Sequence, residues 1–259
     1  MKSVSEVLVE NKTSNRGSLV GYYPAGFPTV EDSIDALVAM CEDGVDILEI
    51  GVPYSDPVMD GEVIQKATET ALENGFKLND LFRVIKGVRE RVSNPILVMT
   101  YWNPVLSYGV EKFAKKLKES GAQGLITPDL IPDEADEWLK ASDELGLDRV
   151  FLVAPSSSEE RVKNNSDTSS GFVYAVSTMG ITGERSEVDK LAREVVSRIK
   201  SASKTPTCVG VGISTAAQVR DVNGYADGAI VGTAFIKSYQ ENGLPGLRNK
   251  VSELVGGLG

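Results

Sequence analysis

The 259-residue chain contains no histidine. That absence removes Ser-His-Asp and Cys-His nucleophile systems, an imidazole proton shuttle and every histidine-containing zinc site. Cysteine is nearly as scarce. Cys41 and Cys208 are too few for a thiolate metal cluster, and both sit in apolar segments, where they read as small core residues rather than a disulfide pair. A reducing, cytoplasmic setting is therefore expected. Basic charge is in deficit, with Lys+Arg 27 against Asp+Glu 37 and a net charge of −10. Phosphate backbones and anionic membranes need a positive field, so neither is an expected partner. A local anion site made from backbone N–H groups stays open. No run approaches the ~18 apolar residues of a membrane span. The opening residues, MKSVSEVLVENKTSNRG, lack the apolar stretch of a signal peptide.

What is present is a 41% hydrophobic complement, enough for a sizeable core, arranged as alternating short apolar runs and amphipathic stretches. The strand-like runs are Ser18–Tyr23, Val45–Ile50, Pro95–Tyr101, Gly124–Thr127, Arg149–Ala154, Gly171–Ser177, Pro206–Gly210 and Gly228–Val231. Helix-like segments lie between them: Val30–Glu42, Leu78–Arg91, Val110–Ser120, Asp133–Leu145, Ser158–Asn165, Glu187–Ser201 and Thr215–Val222, then a pair at Thr233–Gln240 and Leu247–Val255. The period switches from 2 to about 3.6 each time, the signature of βα units. Eight such units match an α/β chain folded as a single (β/α)₈ barrel with extra helices, residues 1–259 forming one domain. A doubly wound open sheet is the alternative. In a barrel, chemistry belongs at the C-terminal ends of the strands.

The segment DILEIGVPYSDPVMDGEVIQKA, residues 46–67, carries the strongest candidates. Strand alternation puts Val45, Ile47 and Glu49 on one face. A carboxyl at that strand end, desolvated, has a raised pKa suited to general acid/base work; a salt-bridged structural Glu is the bland alternative. Asp60 follows in a loop with Pro53 and Pro57, among the acidic neighbours Asp56 and Glu62. Because Asp60-Gly61 precedes a helix-like run, Asp60 is either a second functional carboxylate or a helix N-cap.

Glycines recur just after the last three strands, in STMGITGERSEV (177–188), VGVGIST (209–215) and IVGTAF (230–235). They let backbone N–H groups approach an anion, and a following helix N-terminus adds its dipole. Gly210, Gly212 and Gly232 fit either a phosphate site or tight βα turns. Lys12, Lys66 and Lys77 are not at strand ends, leaving a Schiff-base lysine no obvious seat. Tyr22, Tyr23, Tyr101, Trp102 and Tyr174 lie near strand ends and could wall a flat apolar pocket.

These residues resemble one known family. GYYPAGFPT, ILEIGVPYSDPVMDGEVIQKA, MTYWNPVLSYG, LITPDLIPDEADEW, APSSSEER, GFVYAVSTMGITGER and VGVGISTAAQV…ADGAIVGTAFIK are similar, in unbroken order from Ser18 to Lys237, to tryptophan synthase alpha subunits. The resemblance implies a barrel that cleaves indole-3-glycerol phosphate to indole and glyceraldehyde 3-phosphate. By it, Glu49 and Asp60 match the catalytic carboxyls and Tyr174 a pocket tyrosine, while Tyr22, Tyr101 and Trp102 are pocket candidates by their places near strand ends. Thr182 and Gly183 match a mobile lid that closes on substrate and phosphate. Gly212, Gly232 and Thr233 match the phosphate loops. The resemblance further implies no metal or cofactor in this chain, a pyridoxal-phosphate beta subunit as partner in an α₂β₂ heterotetramer, and passage of indole between the two. Met59, Glu62, Thr70 and Val211 depart from the pattern, where Ala, Pro, Arg and Phe are commoner. A stand-alone lyase releasing indole, and a non-catalytic regulatory subunit, are the alternative functions.

Overall fold

Parallel pairing joins every strand to its neighbours in a computed structural model that describes residues 2–176, 185–210 and 212–259. The strands are β1 (Leu19–Pro24), β2 (Ile47–Gly51), β3 (Ile96–Met99), β4 (Gly124–Ile126), β5 (Asp148–Val150), β6 (Leu152–Val153), β7 (Val173–Val176), β8 (Thr207–Gly210) and β9 (Gly228–Val231). Their order is β5-β4-β3-β2-β1-β9-β8-β7-β6. The two outermost strands, β5 and β6, are separated only by Phe151, so they are two halves of one strand and the sheet closes on itself. The result is the expected (β/α)₈ barrel, with one expected strand interrupted at a single residue.

The expected helices form as α2 (Val30–Glu42), α4 (Leu78–Arg89), α6 (Val110–Ser120), α7 (Asp136–Leu145), α8 (Glu159–Thr168), α9 (Arg185–Ala202), α10 (Ala216–Asn223) and α11 (Thr233–Val255). Within α11 the backbone leaves helical geometry at Asn242 and Gly243, the latter at φ +60°, which divides it much as the two C-terminal segments suggested. α3 (Glu62–Glu73) is the helix-like run beyond Asp60-Gly61.

Two helices carry too weak a pattern to be anticipated. α1 (Val4–Thr13) buries only Val4 and Leu8, and a reciprocal capping box between Ser3 and Glu6 starts it. α5 (Trp102–Tyr108) is seven residues long and begins where the third apolar run was expected to end. Its first N–H, at Trp102, donates to both carboxylate oxygens of Asp129, at 2.9 and 3.1 Å.

Two apolar clusters result. The larger lies between strands and helices. The smaller fills the lumen with Val20, Ile47, Leu97, Ile126, Val150, Phe172, Cys208 and Ile230, and Val4 and Leu8 of α1 close its N-terminal end. With that end filled by side chains, a ligand-binding site belongs at the C-terminal ends of the strands. Ile47 and Glu49 share the lumen face, as alternation requires. Val45 does not: it precedes β2, packs in the outer cluster, and would meet a Cβ placed at Gly21.

Candidate active site at the C-terminal mouth

β2 delivers Glu49 to the upper lumen, in register with Tyr22 of β1 and Leu97 of β3. The carboxyl is buried, 1% exposed, and its Oε2 has no hydrogen-bond partner among the described residues. Burial is the main cause that pushes its pKa up to about 8, and the charge of Asp60 adds to it. Glu49 therefore carries its proton at neutral pH, which is what a general acid needs.

Asp60 occupies the loop between β2 and α3. The N-cap of α3 is Gly61, with no side-chain capping bond, so Asp60 does not cap the helix and its carboxylate is available for other work. The loop is held by its backbone and neighbours. Gln65 Nε2 donates to the Asp60 carbonyl at 2.8 Å, and the Met59 N–H donates to the Tyr101 hydroxyl oxygen at 2.8 Å. Burial raises Asp60 to about 6, against the lowering influence of the nearby Tyr101 hydroxyl. The influence between the two carboxyls runs one way because Asp60 ionises first, while Glu49 is still neutral.

Tyr22 and Tyr174 bracket Glu49. Both hydroxyls are driven upward in pKa, first by burial and then by the charges of Glu49 and Asp60, so both remain neutral hydrogen-bonding groups. Glycines at neighbouring strand ends make room for them. A Cβ at Gly51 would lie 2.2 Å from the Tyr22 hydroxyl, and one at Gly210 would lie 2.5 Å from that of Tyr174. Gly232 has the same requirement, since its Cβ would stand 2.9 Å from the Tyr22 ring. Part of the glycine signal thus reflects packing against tyrosines, which spacing in sequence does not reveal.

Trp102 stands apart from this group. It opens α5 with a half-buried indole packed on the outer cluster. Tyr101 stacks on Tyr54 at 5.4 Å between ring centroids.

Two strands along the sheet from β2, at the end of β9, Gly232 is the N-cap of α11 and Thr233 its first residue, again with no side-chain cap. The first N–H groups of that helix have no intrahelical acceptor and are free to meet an anion. Gly212, between β8 and α10, has φ +61°, a conformation that favours glycine, and among the described residues nothing lies within 4 Å of where its Cβ would stand. Thr182, Gly183 and Val211 lie outside the described residues. Sequence reasoning missed Asp129 and Gln65, which act through backbone groups and carry no motif.

Fold and site together define a class: a (β/α)₈ barrel with a protonated carboxyl and a more acidic partner at its C-terminal mouth. The chain belongs to the tryptophan synthase alpha chain family, whose profile matches residues 8–255. It is 53% identical over 257 residues to the tryptophan synthase alpha chain of Leifsonia xyli subsp. xyli, covering 99% of this chain and 98% of that one. It is 50% identical over 247 residues to the alpha chain of Mycobacterium tuberculosis, covering 95% and 91%. Among solved structures, a tryptophan synthase crystal structure from M. tuberculosis superposes with TM-score 0.92 at 46% identity, covering 100% of both chains. One of the tryptophan synthase complex from Pyrococcus furiosus gives 0.84 at 36% identity, covering 93% and 98%.

Proposed function

We propose that this chain cleaves indole-3-glycerol phosphate to indole and glyceraldehyde 3-phosphate, as a lyase of tryptophan biosynthesis. The observation that carries the reading is Glu49, buried, without a partner for Oε2 and held protonated beside a carboxylate that ionises at lower pH. Glu49 gives its proton to indole C3. Positive charge then spreads toward the ring nitrogen, where the Asp60 carboxylate accepts the N–H and stabilises it. As the C3–glycerol bond breaks, its electron pair returns to the ring and the adjacent hydroxyl becomes the aldehyde. The hydroxyl proton passes to the Glu49 carboxylate, which restores the acid. Tyr22, Tyr101 and Tyr174 wall the pocket, Trp102 does not, and Thr182 is assigned to the same pocket by the family resemblance alone. Gly183, Gly212, Gly232 and Thr233 hold the phosphate through backbone N–H groups, with no cation needed. Binding energy from that remote phosphate orients the reacting carbon.

The alpha chains of this family use no cofactor of their own, and pyridoxal phosphate belongs to the beta chain. We further propose a beta subunit as partner in an α₂β₂ assembly, a single domain over residues 1–259 and a cytoplasmic location. Two large apolar side chains support the partner: Val58, 81% exposed, in the loop after β2, and Leu106, 52% exposed, on α5 after β3. Both emerge from segments that follow strand C-terminal ends, beside the mouth through which indole would leave. A partner is also in keeping with the solved structure from P. furiosus, which is described as a tryptophan synthase complex. No helix among the described residues is long and apolar enough to cross a membrane.

The test is indole release from indole-3-glycerol phosphate by the purified chain, alone and with a beta subunit added. Slow release that rises strongly with the partner is expected. Fast release that the partner leaves unchanged would replace this reading with a stand-alone lyase, and no release in either case would leave a regulatory subunit.

A further inference from the structure

We propose that Asp129 is a positioning residue for the Asp60 carboxylate, acting across the mouth through the backbone at Trp102 and the side chain of Tyr101. The proposal deepens the function above and rests on its assignment of Asp60.

The loop between β2 and α3, which carries Asp60, is joined to the segment that follows β3 at three points. The Tyr101 hydroxyl oxygen accepts the N–H of Met59, the residue before Asp60, at 2.8 Å. Asn103 Nδ2 donates to the Tyr54 hydroxyl at 3.1 Å. The rings of Tyr54 and Tyr101 pack with their centroids 5.4 Å apart. Tyr101 is buried, whereas Ser55, Asp56 and Val58 are exposed. Tyr101 is therefore the fixed side of the contact, and the loop is the side that follows. Because Met59 directly precedes Asp60, a shift of the Tyr101 hydroxyl reaches the carboxylate with little slack.

Asp129 fixes Tyr101. Both of its carboxylate oxygens accept the Trp102 N–H, at 2.9 and 3.1 Å. That N–H belongs to the planar peptide unit that starts at Tyr101, so the bond sets the backbone from which the Tyr101 side chain projects. The charge of Asp129 also reaches the hydroxyl. Burial, then the charges of Asp60 and Asp129, push the Tyr101 pKa up, so the phenol stays neutral and stands between the two carboxylates. Asp129 is itself exposed, yet its place is firm, because Thr127 and Leu130 in the segment leaving β4 are buried. β4 pairs with β3, and β3 with β2. Adjoining strands thus carry both ends of a short path: Asp129 carboxylate, Trp102 N–H, Tyr101 hydroxyl, Met59 N–H. Its effect is to keep Asp60 in register with Glu49, and a misplaced catalytic group loses rate steeply with distance.

The test is indole release with the beta subunit in excess. Asp129 is exposed, so its replacement leaves the core intact. Asp129→Ala is expected to lower kcat about tenfold while KM changes less than about twofold. Asp129→Asn keeps a carbonyl acceptor for the Trp102 N–H and should restore kcat to within about threefold of wild type. In an Asp60→Asn background, Asp129→Ala should cost less than about twofold more, because the group it positions is already gone. A further tenfold loss there would give Asp129 a role independent of Asp60 and overturn the proposal. Unchanged kcat in Asp129→Ala, or a change in KM alone, would overturn it too. Amide hydrogen exchange reads the path without substrate. In Asp129→Ala the Trp102 and Met59 amides should both lose protection, and loss at Trp102 with Met59 unchanged would break the path and refute the assignment. A wild-type chain that cleaves nothing would bring down the function itself. Cleavage with independent effects of Asp129 and Asp60 would bring down only the role of Asp129.

Discussion

Glu49 is a carboxyl whose burial raises its pKa and so makes stability depend on pH. Its pKa stands at about 8 in the folded chain against an ordinary 4.5. Between those values the folded chain keeps a proton that the unfolded chain has released, so the contribution of Glu49 to stability falls as pH rises through that window. Glu49→Gln removes the titration. Its melting temperature, compared with wild type, should therefore rise from about pH 4.5 to about pH 8, and a flat difference would show that Glu49 is not buried as a neutral acid. Cleavage by this variant should be abolished. For Asp60 the expectations concern the pH profile of cleavage. Wild type should lose activity below about 6, where Asp60 takes up a proton, and above about 8, where Glu49 loses one. Asp60→Asn should lose at least ~10²-fold in rate. What activity remains should lack the acidic limb, and its basic limb should move to lower pH, because the charge that helps hold the Glu49 proton is gone. An unchanged acidic limb would assign it to another group.

Among the elements, α1 is the least conspicuous in sequence and has a definite task. Its buried residues Val4 and Leu8 complete the lumen cluster, and Lys12 at its end pairs with Asp227 at 2.5 Å. Asp227 also accepts the Thr207 N–H at 2.9 Å, tying the helix to the start of β8. Leu8→Ala opens a cavity beneath the lumen and should cost about 2–5 kcal/mol of stability, read by denaturant unfolding. Below the melting temperature the variant should keep its KM, since the mouth lies at the opposite end of the barrel. A stability loss under about 1 kcal/mol would mean that α1 merely rests on the barrel. The loop after β2 works by different means. Gln65, Tyr101 and the Met59 N–H fix Asp60 through hydrogen bonds, so the loop keeps its shape although Asp56 and Val58 are exposed.

For the whole molecule, the C-terminal mouth gathers the two carboxyls of raised pKa and two of the three exposed large apolar side chains among the described residues, Val58 and Leu106, while the third, Val9, lies on α1 at the other end. Val58→Asp puts a charge where an apolar partner surface is proposed. It should weaken beta-subunit binding about tenfold or more, measured by calorimetry. Unchanged affinity would move the interface elsewhere on the alpha chain.

Much of this was already present in the order of residues. The switch between period 2 and period 3.6 is a local consequence of burying one face, so eight βα units and the strand-end position of Glu49 were legible directly. The absence of histidine narrowed the acid/base groups to carboxyls before any fold was known. Asp60 was not decidable by that route, because a cap and a functional carboxylate read alike beside Gly61, and only the position of the α3 N-terminus removed the cap. Tertiary structure also decided where Val45 packs, why Gly51, Gly210 and Gly232 lack side chains, and that α1 seals the lumen. In each case the reason is the same: periodicity reports which face of an element is buried, whereas the identity of the neighbour and the field it exerts on a proton arise only when distant segments meet.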